Sequence, residues 1–137
     1  MIRIEQIIER IFEACPGFAS VESALTSAAT LDYPAALVTP LKLDAVPARF
    51  TSFHTQQTVQ TFGVYIILRR EQEEVPGGTG LFDDLCFELR AGLPFWTPDA
   101  SLYSPMNYAG GQLDRYRDGI VCWRDDYTIE SEIRIMG

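Results

Sequence analysis

Apolar and polar side chains alternate along residues 121–135, which is typical of a β-strand with one face buried and the other in water. At about 3.3 Å per residue such a strand spans roughly 50 Å, whereas strands in globular proteins usually have about five or six residues. A strand of this length, or a hairpin arm bent near Asp125 and Asp126, has more edge than a small domain needs. The pattern therefore predicts a protein that assembles with other chains.

The length and charge of the chain limit its class. Its 137 residues fit one domain, 1–137, with a single core, and its formal net charge is −8. Lys42 is the only lysine, so the sequence lacks the basic clusters of general nucleic-acid binders. No segment approaches the roughly 20 apolar residues of a membrane-spanning helix. The N-terminus has no apolar signal-peptide core, so we expect a cytosolic protein when it is made.

Periodicity elsewhere predicts an α+β domain. We expect a mixed or antiparallel four-stranded sheet, two helices packed on it, and a long C-terminal hairpin turning at Asp118-Gly119. The predicted helices are 2–14 and 81–93, and the predicted strands before the hairpin are 35–41 and 56–70. We interpret 21–31 as a short helix or turn, 42–53 and 71–80 as loops, and Gly110-Gly111 as a turn.

No motif in the sequence predicts catalysis or a cofactor. His54 is the only histidine and has no nucleophile motif beside it. Adjacent carboxylates do not converge on one ligand, so Asp83-Asp84 are interpreted as helix-dipole compensation and Asp125-Asp126 as a solvated bend. The glycine-rich opening of the second helix lacks a P-loop lysine, and Thr79 is its predicted N-cap. Cys15, Cys86 and Cys122 lack metal-site spacing and are predicted to be free, buried thiols.

Short motifs spread over most of the chain resemble those of the tail terminator proteins of long-tailed bacteriophages. Pro94-Phe95 departs from this pattern, since a glycine is expected directly before the tryptophan. The similar segments, after an N-terminal amphipathic helix, are Pro34-Ala35-Ala36-Leu37-Val38, Gln57 with Phe62-Gly63-Val64, Asp84-Leu85, Leu89-Arg90, Leu93, Trp96-Thr97-Pro98, Tyr108-Ala109-Gly110-Gly111-Gln112-Leu113 and Trp123-Arg124-Asp125-Asp126-Tyr127-Thr128.

The resemblance implies a structural role without catalysis, cofactor, metal or membrane partner. Such proteins form a ring, typically a hexamer, on the end of the tail tube, stop its polymerisation and present a surface to the head-tail connector. DNA would pass through the ring without specific binding. The protein would be made in the bacterial cytoplasm and end in the tail of the virion.

Two sets of residues are candidates for contacts in such an assembly. The charged residues of the last strand's polar face would pair with a neighbouring subunit, and the acidic, glycine-rich loop would contact the tube or connector. The first set is Arg124, Asp126, Glu130, Glu132 and Arg134, and the second is Glu71, Glu73, Glu74, Gly77, Gly78 and Thr79.

Other functions remain open at this point. Among assembly roles the alternative is a neck-completion or connector-adaptor protein. Outside them, the aromatic and proline-rich segment from Phe95 to Tyr108 is compatible with a small cytosolic ligand-binding module, and Asp83, Asp84 or His54 with a small hydrolase.

Overall fold

The computed structural model describes residues 2–25, 31–45, 55–73 and 80–134. They form an α+β fold with a five-stranded mixed sheet in the order β1-β2-β3-β5-β4, in which β1 and β2 are parallel and the other pairs antiparallel. The elements in chain order are α1 (Ile4–Ala14), β1 (Ser20–Ser23), β2 (Ala35–Ala45), β3 (Thr55–Arg69), α2 (Arg70–Glu73), α3 (Leu81–Gly92), β4 (Asn107–Arg117) and β5 (Ile120–Arg134). The predicted class is confirmed, but the sheet has one strand more and the described chain one helix more than expected.

The core lies between one face of the sheet and the helices α1 and α3. Ile7 and Ile11 of α1 and Leu85 and Leu89 of α3 are buried, as their helical spacing predicts. They meet the alternate apolar residues of β3 and β5, which are Phe62, Val64, Ile66, Leu68, Tyr127 and Ile129. Because these side chains all point to one face, the helices cover that face of the central strands.

The C-terminal hairpin turns where the sequence predicts it. Asp118 has φ 54° and Gly119 has φ 74°, and the strands on either side pair Arg117 with Ile120. Two consecutive residues with positive φ are the signature of a type I′ turn, whose twist matches that of the flanking strands. Beyond this turn all fifteen residues of β5 pair with β3, so the predicted long strand is confirmed. The surplus of edge expected from its length was wrong for β5 itself, because β3 covers one edge and β4 most of the other.

Two predictions about the first edge of the sheet were wrong in part. In 21–31 the chain forms β1, a short parallel strand beside β2, followed by a turn at residues 24–25, while 26–30 lie outside the described residues. The first part of the loop predicted for 42–53 is strand instead, because β2 continues to Ala45; residues 46–53 lie outside the described range. Pro40 does not end β2, since β1 pairs no further than Val38 and a bulge follows at Leu41. Proline is tolerated in strands at such edges and bulges.

The predicted turn at Gly110-Gly111 was also wrong. Both glycines lie inside β4, where a bulge between Tyr108 and Gly110 changes the register and Gly110 has φ 124°. Glycine supplies the positive φ that such a bulge needs. After β3, the segment predicted as a loop from residue 71 begins with the single helical turn α2.

Phe95 has a backbone conformation that favours glycine. Its φ is 69°, at the position before Trp96 where the terminator pattern has glycine, and its side chain is 86% exposed. We expect Phe95→Gly to raise the free energy of unfolding by up to about 1 kcal/mol, because glycine adopts positive φ without the Cβ clash. Urea denaturation measures this change.

Phe95→Ala is the matched control, since it removes the same aromatic ring but keeps the Cβ. We expect no gain in stability from alanine. Equal effects of glycine and alanine would show that the backbone conformation is not the source of the gain.

Candidate functional site

A buried carboxylate joins α3, β4 and β5. The Asp125 side chain is fully buried, and Arg90 donates to it twice, from Nε to Oδ2 at 3.1 Å and from NH2 to Oδ1 at 3.0 Å. Trp123 Nε1 donates to Oδ1 at 2.7 Å and the Tyr127 hydroxyl to Oδ2 at 3.2 Å, with the Tyr108 hydroxyl 3.5 Å from Oδ1. These five residues form the Asp125 cluster. A buried charge is stable in such a site because it is paired and its lone pairs accept hydrogen bonds.

Strand alternation places the cluster. Trp123, Asp125 and Tyr127 occupy alternate positions of β5 and so share its helix-side face. The pairing of β4 with β5 puts Gly111 opposite Asp125, and a Cβ on Gly111 would lie only 2.6 Å from Asp125 Oδ1. The solvated bend predicted at Asp125-Asp126 was therefore wrong for Asp125, which faces the core.

The surroundings of the Asp125 cluster keep Arg90 and Tyr127 protonated. The hydrogen bond with Asp125 raises the pKa of Arg90, and burial raises the pKa of Tyr127, helped by the nearby Asp125 charge. The Arg90 guanidinium also lies over the Tyr108 ring, 4.9 Å from its centroid. The cluster thus holds the edge strand β4 and the end of α3 against β5. Its role is to position the surface that these three elements form.

We expect stability to fall as the pH rises above about 9, toward 11. Burial raises the pKa of the Cys15 and Cys122 thiols from 9.0 to about 11, and it also raises that of Tyr127. Since the folded values lie above the unfolded ones, the unfolded chain loses these protons first, and stability present at lower pH is lost as pH rises through this range.

Urea denaturation across this range tests the expectation. A Cys15→Ala, Cys122→Ala double variant should show a shallower decline between about pH 9 and 11. A decline equally steep in the double variant would assign the effect to other groups.

The residues predicted to face a neighbouring subunit are not all available for new contacts, because some already pair with each other. Arg124 and Asp126 pair with each other across the outer face of β5, with Arg124 Nε 2.8 Å from Asp126 Oδ1, and both are half-buried. Glu130 and Glu132 are exposed, and Gln57 Nε2 donates to Glu130 at 3.2 Å. Arg134 ends β5. Their proposed contacts with a neighbouring subunit stay a prediction.

The predicted tube- or connector-contacting loop is described only in part. Glu71 and Glu73 lie in α2, whereas Glu74, Gly77, Gly78 and Thr79 lie outside the described residues. The N-cap of α3 is Gly80, with φ 99°, and not Thr79. The contacts predicted for this segment remain a prediction.

The residues named for a small hydrolase are described only in part. Asp83 and Asp84 lie in the first turn of α3, as expected for dipole compensation, and His54 lies outside the described residues. In the described part of the chain, no three His, Cys, Asp or Glu side chains cluster as metal ligands. No described helix is long and apolar enough to cross a membrane. None of the three cysteines forms a disulfide, and Cys15 and Cys86 are buried while Cys122 is half-buried.

The described residues line surface cavities, two of which are similar in volume. One, of about 460 Å³, lies on the outer face of the sheet and has a mainly apolar lining that includes Leu37, Tyr65 and Ile67. The other, of about 410 Å³, includes Ala100 to Ser104 and the polar end of β5 in its wall. Trp96, in the segment considered for a ligand-binding module, lies under Arg10, with the guanidinium 5.8 Å from its ring centroid.

Both sides of the sheet have strand edges that no described strand covers. β4 ends the sheet on one side, and on the other β1 pairs with β2 only from Ala35 to Val38, which leaves the outer edge from Thr39 to Ala45. Near its C-terminal end β5 is partly covered, because the backbone N–H of Ser104 donates to the Glu130 carbonyl at 2.9 Å. Uncovered edges offer backbone donors and acceptors to another chain.

The geometry unites segments that are far apart in the sequence. Arg90, Tyr108, Gly111 and Asp125 come from three of the motifs shared with tail terminators, and they meet in or against one cluster. A search of curated proteins finds no match to the chain. The family model described as phage tail terminator protein matches residues 1–136. With nearly its whole length matched, the chain belongs to the phage tail terminator family and has a structural role in phage tails.

Proposed function

We propose that the chain closes into a ring, in the expected form a hexamer, on the finished end of a tail tube. There it stops the addition of tube subunits and presents a joining surface to the head connector. The observation that carries the proposal is a pair of edges that no described strand covers, β4 on one side of the sheet and Thr39 to Ala45 of β2 on the other, in a member of the terminator family.

The unequal edges favour a ring over a two-fold dimer. A two-fold dimer uses the same patch on both copies, whereas two different patches on opposite sides join copies head to tail. Head-to-tail contacts that close give rings, and those that do not close give filaments. A terminator needs the closed form, since an open one would continue the polymer.

The net charge of −8 suits a ring through which DNA passes. Carboxylates repel the phosphate backbone, so DNA near them is not retained by non-specific binding. The exposed charges of Glu130 and Glu132 are the candidates for contacts made by the polar face of β5, because Arg124 and Asp126 already satisfy each other.

A tube-capping experiment tests the termination step. Purified tube subunits of the same phage are polymerised with and without the chain, and tube lengths and ends are imaged by negative stain. We expect shorter tubes with a ring at one end when the chain is present. Tubes of unchanged length with bare ends would contradict the proposal.

Charge reversal tests the part assigned to β5. Glu132→Lys should weaken capping if Glu132 faces a neighbouring subunit, and Asp83→Lys is the matched control, since it makes the same charge change at an exposed site on α3. Equal capping by both variants and the unaltered chain would remove Glu132 from the interface and leave the ring proposal standing.

A further inference from the structure

The two edge strands of the sheet run in opposite directions. β2, β3, β5 and β4 are neighbours in that order and each pair is antiparallel, so β2 and β4 point opposite ways. Two copies placed side by side in the same orientation therefore bring β4 of one beside β2 of the other as antiparallel strands. β1 pairs with β2 as far as Val38, so the part of β2 open to a second copy begins at Thr39.

Each of these strands has a bulge that turns the same way. In β2, Leu41 has no partner on β3, and its side chain lies on the outer face, 3.1 Å from where a Cβ on Gly63 would be. In β4, Asp114 has no partner on β5, and its carboxylate forms a hydrogen bond with the Cys122 thiol on the outer face. Each bulge therefore places two consecutive side chains on the outer face, where regular alternation would place one.

The side-chain directions of the two strands agree in one register. From Thr39 to Ala45 the side chains point to the outer face, the helix side, the outer face twice, the helix side, the outer face and the helix side. From Arg117 back to Gly111 the order is the same. With Arg117 opposite Thr39 and Gly111 opposite Ala45, the two bulges lie side by side, whereas a shift by one residue puts side chains on conflicting faces. We call these opposite pairs the seam.

The backbone groups agree in the same register. The Ala24 N–H donates to the Val38 carbonyl at 2.8 Å, so the backbone of Val38 points away from β3. Alternation, continued through the bulge, makes the backbone of Leu43 point the same way. Carried across β3 and β5, it makes the backbone of Leu113 point away from β5. In the seam Leu43 and Leu113 therefore face each other as a pair that exchanges N–H and carbonyl hydrogen bonds.

We propose that β4 of one copy adds to β2 of the next copy in this register, an inference that rests on the proposed ring. The two sheets become continuous across the seam. On the helix side it brings together Leu43 and Leu113, which are 48% and 58% exposed in the single chain. On the outer face it places Lys42 opposite Asp114, and nowhere in the seam do like charges stand directly opposite each other. Apolar and opposite-charge pairs across strands stabilise a sheet.

The stagger of the seam suits a closed ring. Within one chain Arg117 pairs with Ile120 and Ile120 with Arg69, which is level with position 33 of the β2 edge because Ala35 pairs with Ile67. Moving from position 33 to position 39 shifts the added copy along the strands by about 20 Å. The four strands that each copy contributes are about 19 Å wide. The strands then tilt by about 45° to the ring axis, at the upper end of the range of about 35–45° in closed barrels.

Disulfide formation between copies tests the register. Asp44 and Gln112 are exposed on the outer face, and the seam makes them an opposite pair with Cα atoms about 4.5 Å apart, which a disulfide can bridge. The background is Cys122→Ala, which removes the half-buried thiol of that face. On oxidation, Asp44→Cys with Gln112→Cys should link copies up to the full ring. β2 and β4 lie on opposite sides of the sheet, so such a bond joins two copies.

Asp44→Cys with Asn107→Cys is the matched control. Asn107 is exposed on the outer face of the same strand but lies about 16 Å from Gln112. We expect no ring-sized product from this pair on non-reducing gels or in native mass spectrometry. Thermal unfolding of each reduced variant checks its fold.

A charge exchange tests the seam without cysteines. Lys42→Glu places a carboxylate opposite Asp114 and should raise the dissociation constant for self-association by about 2- to 5-fold at each contact. Lys42→Glu with Asp114→Lys should recover this loss, because the pair is then reversed. A double variant that associates no better than Lys42→Glu alone would contradict the register.

The outcomes separate this inference from the ring itself. Rings of normal mass in which Asp44→Cys, Gln112→Cys copies stay unlinked, or in which the control pair links as readily, would overturn the seam but leave the ring proposal intact. An unaltered chain that stays monomeric both in solution and on tube ends would contradict both.

Discussion

Replacing Asp125 by asparagine should lower the free energy of unfolding by about 3 kcal/mol, because the change breaks a buried, paired charge. The neutral amide leaves Arg90 without its counter-ion, and the NH2 group of the amide meets donors that the carboxylate accepted from. Urea denaturation at neutral pH measures the loss. Since the cluster holds β4 against β5, we also expect weaker self-association under conditions where the variant is folded.

Asp126→Asn is the matched control, since it makes the same change one residue along the strand. Asp126 pairs with Arg124 on the outer face, where both side chains keep some contact with water. We expect a loss below about 1 kcal/mol there, as for a partly solvated pair. Similar losses at the two positions would contradict the special role given to Asp125.

Gly111→Ala should lower the free energy of unfolding by about 2 kcal/mol, the usual range for overpacking a core. The added methyl group would lie 2.6 Å from Asp125 Oδ1 and 2.8 Å from Trp123 Nε1. These atoms are held by the Asp125 cluster and cannot both move without losing the hydrogen bond between them. Thermal and urea unfolding measure the effect, and we expect a change in the near-ultraviolet signal of Trp123.

Gln112→Ala provides the control for Gly111, because Gln112 is exposed in the same strand and its side chain points to the outer face. We expect a change within about 0.5 kcal/mol at that position. If Gly111→Ala is as stable as Gln112→Ala, the close approach of β4 to Asp125 is not as tight as described.

Periodicity predicted the elements that carry the core. α1 and α3 each bury a stripe of branched apolar residues, and β3 and β5 alternate strictly over many residues, so burial and sequence pattern agree along each element. The turn at Asp118-Gly119 was predictable for a local reason, since that pair suits two consecutive positive φ angles. These elements set the fold class and the position of the long hairpin.

The edges of the sheet could not be predicted in the same way. β1 has only four residues and exists because β2 lies beside it, so its pairing is tertiary information. Pro40 and the Gly110-Gly111 pair are usual breakers of strands, but at edges and bulges they are compatible with strand structure. Local composition therefore indicated loops and turns at positions that belong to the edge strands of the sheet.

The alternation in the sequence places Asp125 on the buried face of its strand, although its charge led to the prediction of a solvated bend. In the alternation of β5, Asp125 falls between Trp123 and Tyr127 on the apolar face, while Asp126 falls on the polar face with Arg124. An acidic residue at a core position predicts a buried cation or donor partner. Arg90 is that partner, but only the tertiary structure brings it from the end of α3 to β5.

Head-to-tail closure of this chain into a ring is tested most directly by the mass of the protein across a wide concentration range. Native mass spectrometry and light scattering, with negative-stain images, should show one closed species, a hexamer in the expected form, either in solution or on tube ends. A strict two-fold dimer at every concentration, with no ring on tube ends, would contradict ring closure.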